Sequence, residues 1–286
     1  MRRTLELHDL IYGKVSSYLE NDLGHTADPI RIGNDEWDII KWERVPEIDP
    51  MLGVVVGELI HDVRSSLDQL IYELVSENDK SKTGEHSQFP IYDSEKKWID
   101  DIEERDPARW PPSPVLGLKE DQVGIIRELQ PFHFVQKDRP RHPLVQLLRM
   151  SNVDKHRTIH LAAMNVRPPA YVRYEPPGFF KILKQSMKRP GAEVKKDTEI
   201  GRVKRQIIGV PPPGTQVQLR IRGGADIEFS EPGKEPIAGL RDIGIIMWEA
   251  RRIILTFRPD ADIPFPEPTE GQANPVKTLR RIVRRT

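Results

Sequence analysis

The chain has no cysteine among its 286 residues, which excludes thiol catalysis, Cys-ligated zinc and iron–sulfur clusters and leaves no disulfide to form. It has no run of 18 apolar residues, and its opening MRRTLELHDL lacks the apolar stretch and small-residue cleavage site of a secretory signal. A cytoplasmic protein with no membrane partner is therefore expected. Neither G-x-x-x-x-G-K-[ST] nor a G-x-G-x-x-G following a strand occurs, which argues against P-loop and Rossmann nucleotide chemistry, and no G-x-S-x-G offers a serine-hydrolase elbow. Net charge is absent too, since 44 Lys+Arg meet 44 Asp+Glu. The balance is uneven along the chain: residues 1–110 hold 13 basic and 25 acidic side chains, residues 111–286 hold 31 and 19. Such opposed fields favour head-to-tail contact between copies or packing of one half on the other, so a homo-oligomer is one expected state.

What is present reads as helices first and strands later. Leu5, Leu10, Ile11, Val15 and Leu19 give a helix over 2–22, and the stretch from Pro29 to Val45, with an Asn-Asp turn and two Trp, gives a strand hairpin. The strongest element follows Pro50: Leu52, Val55, Val56, Leu59, Val63, Leu67, Leu70 and Leu74 form one apolar stripe over 51–75. Helical patterns recur at 94–105, 118–129 and, with Pro143 in a first turn, 144–164. Beyond Pro168, YVRYEP, GRVKRQIIGV, TQVQLRIR and ADIEFS read as strands, the last two joined by a Gly223-Gly224 turn, before a helix over 237–257. The expected fold class is α+β, a helical bundle of about five helices with a β-strand insertion before the last helix. Its expected divisions are a helical core with an N-terminal hairpin (1–165), the β-rich insertion (166–235), the returning helix (236–258) and a disordered basic tail (259–286).

The chemistry-bearing residues sit on two of these helices. On the 51–75 helix, steps of three and four put Glu58, His61, Arg64, Ser65, Asp68 and Tyr72 on one face, opposite the Leu/Val stripe. On the 144–164 helix, Val145, Leu148, Asn152, His156, Ile159, His160 and Ala163 share a side, so polar groups interrupt an apolar face. If the two faces meet, Arg64, Asp68, Asn152, His156 and His160 form one polar centre. In RNA cleavage His156 would take the 2′-OH proton, Arg64 would hold the phosphate, and Asn152 and Asp68 would orient them. Asp154, Lys155 and Arg157 point elsewhere and read as solvent-side or capping charges. The spacing His156-x-x-x-His160 also permits a shared metal ion, although Arg157 stands beside the ligands. No cofactor is expected. A separate stretch, Lys181 to Arg205, holds nine Lys/Arg against three Asp/Glu and, with Phe179 and Phe180, suits phosphates or simply solvent.

The segments GELIHDVRSSLDQLIYEL, FPIY, RELQPF and HPLVQLLRMSNVDKHRTIH, in that order over about residues 50–165, resemble a family of uncharacterised bacterial proteins frequent in actinobacteria. That resemblance implies a shared helical core with Arg64, Asp68, Asn152, Asp154, Lys155, His156 and Arg157 in its motifs, and carries no reaction. The chain is also similar to the HEPN superfamily of helical bundles, many of which are metal-independent ribonucleases with an Arg-x4-6-His motif on one helix and some of which act in defence or stress responses. Arg64 would be that arginine, and Gln69 stands five residues on, where the histidine would fall. Three readings stay open: HEPN-like RNA or nucleotide binding or cleavage, a non-catalytic structural or interaction protein with a buried polar network, and a His-based metal binder or hydrolase.

Overall fold

The computed structural model describes residues 2–19, 24–32, 35–105, 112–155, 159–165, 171–187, 194–222, 225–230 and 236–263. At 160, 162–165, 171, 187, 221–222, 225–226 and 241 it describes the backbone alone. The chain separates into two compact units, each assembled from distant stretches: a helical unit (1–10, 53–160 and 230–286) and a β unit (11–52 and 161–229).

The first helix, α1, runs Arg2–Ser17 and buries Leu7, Ile11 and Val15 while Leu10 faces solvent. The hairpin strands β1 (Gly24–Ile32) and β2 (Asp35–Arg44) follow. Helix α2, Met51–Asp79, starts where Asp49 accepts the Met51 N–H at 2.9 Å and Pro50 needs no donor of its own. Its stripe Val56, Leu59, Ile60, Val63, Leu67, Ile71 and Val75 is wholly buried, which is why 29 residues stay helical without an interior cap. Two short helices follow, α3 (Glu95–Trp98) and α4 (Glu120–Glu128). Helix α5 (Pro143–Asp154) packs on α6 (Leu240–Phe257), with the buried Gln146 amide donating to the Ile237 carbonyl at 3.1 Å and to Asp242 at 3.2 Å.

In the β unit, strands β5 (Phe180–Met187) and β6 (Glu199–Ile207) join the N-terminal hairpin in one antiparallel sheet of order β1-β2-β6-β5. Strands β4 (Tyr171–Glu175) and β7 (Gln218–Arg222) form a second, two-stranded sheet, and β3 (His160–Asn165) and β8 (Ala225–Ser230) are neighbours in a third. The large sheet has an inner face carrying buried Asp38, Ile40, Trp42 and Val203. Against it lies Tyr174 of β4, whose hydroxyl donates to Asp38; Arg205 sits 3.5 Å from the same carboxylate and stacks 4.8 Å over Phe180. Burial and then the hydrogen bond to Asp38 push the Tyr174 phenol far above its ordinary range, so it stays a donor.

This architecture corrects the expected helical bundle with one inserted β segment. Four strands build a sheet that draws on both the N-terminal hairpin and the later basic stretch, so the hairpin belongs to the β unit. The reason is physical: a two-stranded ribbon with Ile40 and Trp42 on one face is marginal alone, and β6 extends that face. The expected helix over 144–164 stops at Asp154, and 160–165 is strand. Ile159, Leu161 and Ala163 alternate as well as they spiral, and pairing with β8 decides between the two periods. Gly223-Gly224 lies outside the described residues, and β7 and β8 belong to different sheets instead of forming the expected hairpin. Of the expected tail, residues 264–286 lie outside the described residues, while 259–263 turn back so that the Ile263 carbonyl accepts from Arg251 Nε at 3.0 Å.

Candidate functional site

The segment Phe89-Pro90-Ile91-Tyr92 has no regular secondary structure, yet Phe89, Pro90 and Ile91 are buried. A buried loop must find partners for its peptide groups, and here side chains supply them. The Phe89 N–H donates to Asp68 Oδ1 at 2.9 Å, and its carbonyl accepts from Arg64 Nη2 at 2.7 Å. Arg64 and Asp68 are one helical turn apart on α2 and also bond each other, Nη2 to Oδ1 at 2.9 Å and Nε to Oδ2 at 3.2 Å. Starting one residue further along the segment, the buried Gln130 amide donates to the Pro90 carbonyl at 3.1 Å and accepts the Tyr92 N–H at 2.8 Å, as a neighbouring strand would. Tyr92 stands edge-on to buried Trp98, and burial followed by the Asp101 charge pushes its phenol up to about 12.

Of the five residues expected to share a site, Arg64 and Asp68 are together. Their side chains are 13% and 27% exposed, and the loop at Phe89 covers them. Asn152 is exposed on α5, with no hydrogen bond among the described residues linking it to Arg64 or Asp68. His156 and the His160 side chain lie outside the described residues; the His160 backbone opens β3 instead of continuing α5. On the rest of the α2 polar face, Glu58, His61, Ser65 and Tyr72 are exposed, and Ser65 Oγ lies 3.4 Å from His61 Nε2. No group of three or more His, Asp or Glu side chains suited to a metal ion occurs among the described residues.

Asp154 does not face solvent as expected. Its carboxylate lies against α2 at Gly57, where a Cβ would stand 2.0 Å from Oδ1, so the glycine makes room for the acid. His142 caps α5 by accepting the Leu144 N–H at Nδ1 (3.2 Å) and stands edge-on to Phe134, ring centroids 4.5 Å apart. Burial, and then Arg252, push its imidazole down to about 3, so it is neutral at ordinary pH. Arg252 is in turn held by buried Glu249 through two bonds of 2.6 and 2.9 Å.

Gln130 was not among the expected site residues, although RELQPF holds it. Its signal was a polar residue between an apolar helix end and a proline, where a buried amide has no solvent to bond. The motif segments around Arg64, Phe89 and Gln130 thus converge on one clamp. No family model, no curated protein and no solved structure matches the chain. The fold and this site define a two-unit protein of mixed helix and antiparallel sheet, with a part-buried polar network in its helical unit that ties Arg64 and Asp68 to the Phe89 backbone. Among the described residues no helix is long and apolar enough to cross a membrane.

Proposed function

We propose that this chain is a non-catalytic binding protein whose Arg64–Asp68 centre is a structural clamp. The observation that supports this reading is that Arg64 and Asp68 bond each other and both ends of the Phe89 peptide unit. A phosphate clamp needs a guanidinium whose paired N–H groups face an open site, and the Nε and Nη2 groups of Arg64 already have protein acceptors. The test is incubation of the purified full chain with a mixed RNA pool in EDTA, beside an Arg64→Lys variant. No cleavage by either, with a lowered melting temperature for the variant, is the expected result. Cleavage by the wild type that Arg64→Lys abolishes without changing the melting temperature would overturn the reading.

A second reading, HEPN-like RNA cleavage with Arg64 and His156, is favoured by one detail: Arg64 Nη1 is buried and donates no hydrogen bond. A buried donor without a partner is costly, and a bound phosphate oxygen would satisfy it. The same RNA incubation decides between the two readings.

A further inference from the structure

On the outer face of the four-stranded sheet the described residues Ile30, Trp37, Ile39, Lys184, Arg202 and Lys204 are half-buried or exposed, in contrast to the buried Asp38, Ile40, Trp42 and Val203 of the inner face. Cross-strand register fixes what it displays. Ile30 of β1 lies opposite Trp37 of β2, Trp37 opposite Lys204 of β6, and Lys204 opposite Lys184 of β5. The next row along the strands, roughly 6.8 Å away, runs Asp28, Ile39, Arg202 and Ser186. On the other side of the first row, Lys181 stands opposite Gln206. The face therefore has an apolar centre of half-buried Ile30, Trp37 and Ile39 and a rail of cations along β5 and β6.

Two features of the rail point to an anionic ligand. Lys184 and Lys204 are directly opposed, like charges in that relation oppose strand pairing, and the Asp35 carboxylate engages Lys204 alone, leaving Lys184 uncompensated among the described residues. The charges are also unevenly matched. Asp28 takes Lys41 at 3.0 Å, Asp35 takes Lys204 at 2.7 Å, and Glu199 takes Arg202 at 2.9 Å. Lys181 and Lys184 are exposed and make no ion pair among the described residues. The carboxylates lie chiefly toward the β1–β2 edge and the excess positive charge toward β5.

We propose that this face binds single-stranded nucleic acid, with its phosphates along Lys181, Lys184, Lys204 and Arg202 and a base stacked on Trp37. The proposal rests on the binding-protein reading and names its ligand. The chemistry favours a single strand over a duplex. A duplex offers its phosphates but keeps its bases stacked on each other, whereas an unpaired base has a free π-face for an indole. A repeating negative charge beside flat apolar rings matches a cationic rail beside a tryptophan; a protein ligand would need the apolar centre alone. The other face of the same strands is closed by Tyr174, so the ligand has one side to approach.

The experiment is fluorescence anisotropy of a labelled twelve-nucleotide oligouridine and of a duplex of equal length, titrated with the full chain at several salt concentrations. Tighter binding of the single strand is expected. Trp37→Leu keeps apolar bulk but removes the stacking surface, and should weaken binding about tenfold. Lys181→Gln with Lys184→Gln should lower the slope of log affinity against log salt by roughly 1.4. Both lysines are exposed, so this double variant keeps the test informative should Trp37→Leu perturb folding, which a thermal melt reports. Absence of single-strand binding at low salt, equal affinity for the duplex, or binding insensitive to all three substitutions each overturns the proposal. So does a dimer in sedimentation that Trp37→Leu disrupts, which would assign the face to a second copy of the chain. RNA cleavage would sink the reading it rests on without touching this face, whereas failure to bind oligouridine would leave the Arg64 clamp intact.

Discussion

The Arg64–Asp68 centre and the outer face of the large sheet carry similar residue types and treat them oppositely. In the helical unit, cation and carboxylate are inserted under a loop, and both are tied to each other and to the Phe89 peptide group. On the sheet, Lys184 stands in solvent opposite another lysine. A charged residue that holds the fold is recognised by bonds to buried backbone groups, and one available to a ligand by exposure without an ion-pair partner. The two regions should therefore separate experimentally: changes in the first should reduce stability, and changes in the second should reduce binding.

The largest effect should come from His142 as pH falls. Its folded-state pKa lies near 3, below the ordinary imidazole value of about 6.5. Between those values the unfolded chain binds a proton that the folded chain does not, so stability is lost as pH drops through that window. The loss should approach about 4 kcal/mol near pH 3. Urea melts from pH 7 to 4 should be distinctly flatter for His142→Asn, which can still cap α5; parallel profiles would show that the imidazole is not excluded from charging. Next comes Asp68→Ala, which strands Arg64 and leaves the Phe89 N–H without its partner. It should cost about 3 kcal/mol by denaturant titration, with oligouridine affinity unchanged. A loss of affinity without a loss of stability would reverse the assignment of the two regions.

A smaller effect, with a change of sign, is expected at Gly57. Gly57→Ala should destabilise by about 1 kcal/mol because its methyl meets Asp154. In an Asp154→Ala background the same substitution should stabilise by roughly 0.5 kcal/mol, as alanine outranks glycine inside a helix. Additive effects in this double-mutant cycle would mean that the carboxylate does not lie where the structure puts it. The smallest stability effect is expected for Asp28→Asn, which breaks an exposed pair with Lys41 and should move stability by less than about 0.5 kcal/mol. It should nevertheless tighten oligouridine binding by releasing a cation; weaker binding would count against the proposed ligand.

Much of the local structure was legible in the sequence. The α2 stripe, the hairpin expected over 29–45, four of the later strands and α6 follow from periodicity because each has one face that must be buried. Pairing between distant segments was not legible. Nothing in a hairpin with two tryptophans says that its partner is a basic strand more than 150 residues later, so the cationic stretch and Trp37 were read as separate features. Strand β5 was missed because KILKQSM carries four polar residues and edges a sheet, where alternation is weak. The polar face of α2 was legible as a face, and Arg64 and Asp68 were correctly grouped. Their covering element was not an opposing helix but a four-residue loop, whose need for hydrogen bonds arises only once it is buried.

The β2–β6 pairing also has a consequence for the newborn chain. When Arg44 has left the ribosome, roughly 155 residues must still be made before the strand that extends the Ile40–Trp42 face is available. At about 5 to 20 residues per second, that leaves the hairpin without its neighbour for on the order of ten seconds or longer. During that interval its open edge and apolar side are a sticky template for other chains, which makes translation speed and chaperone supply determinants of the yield of folded protein.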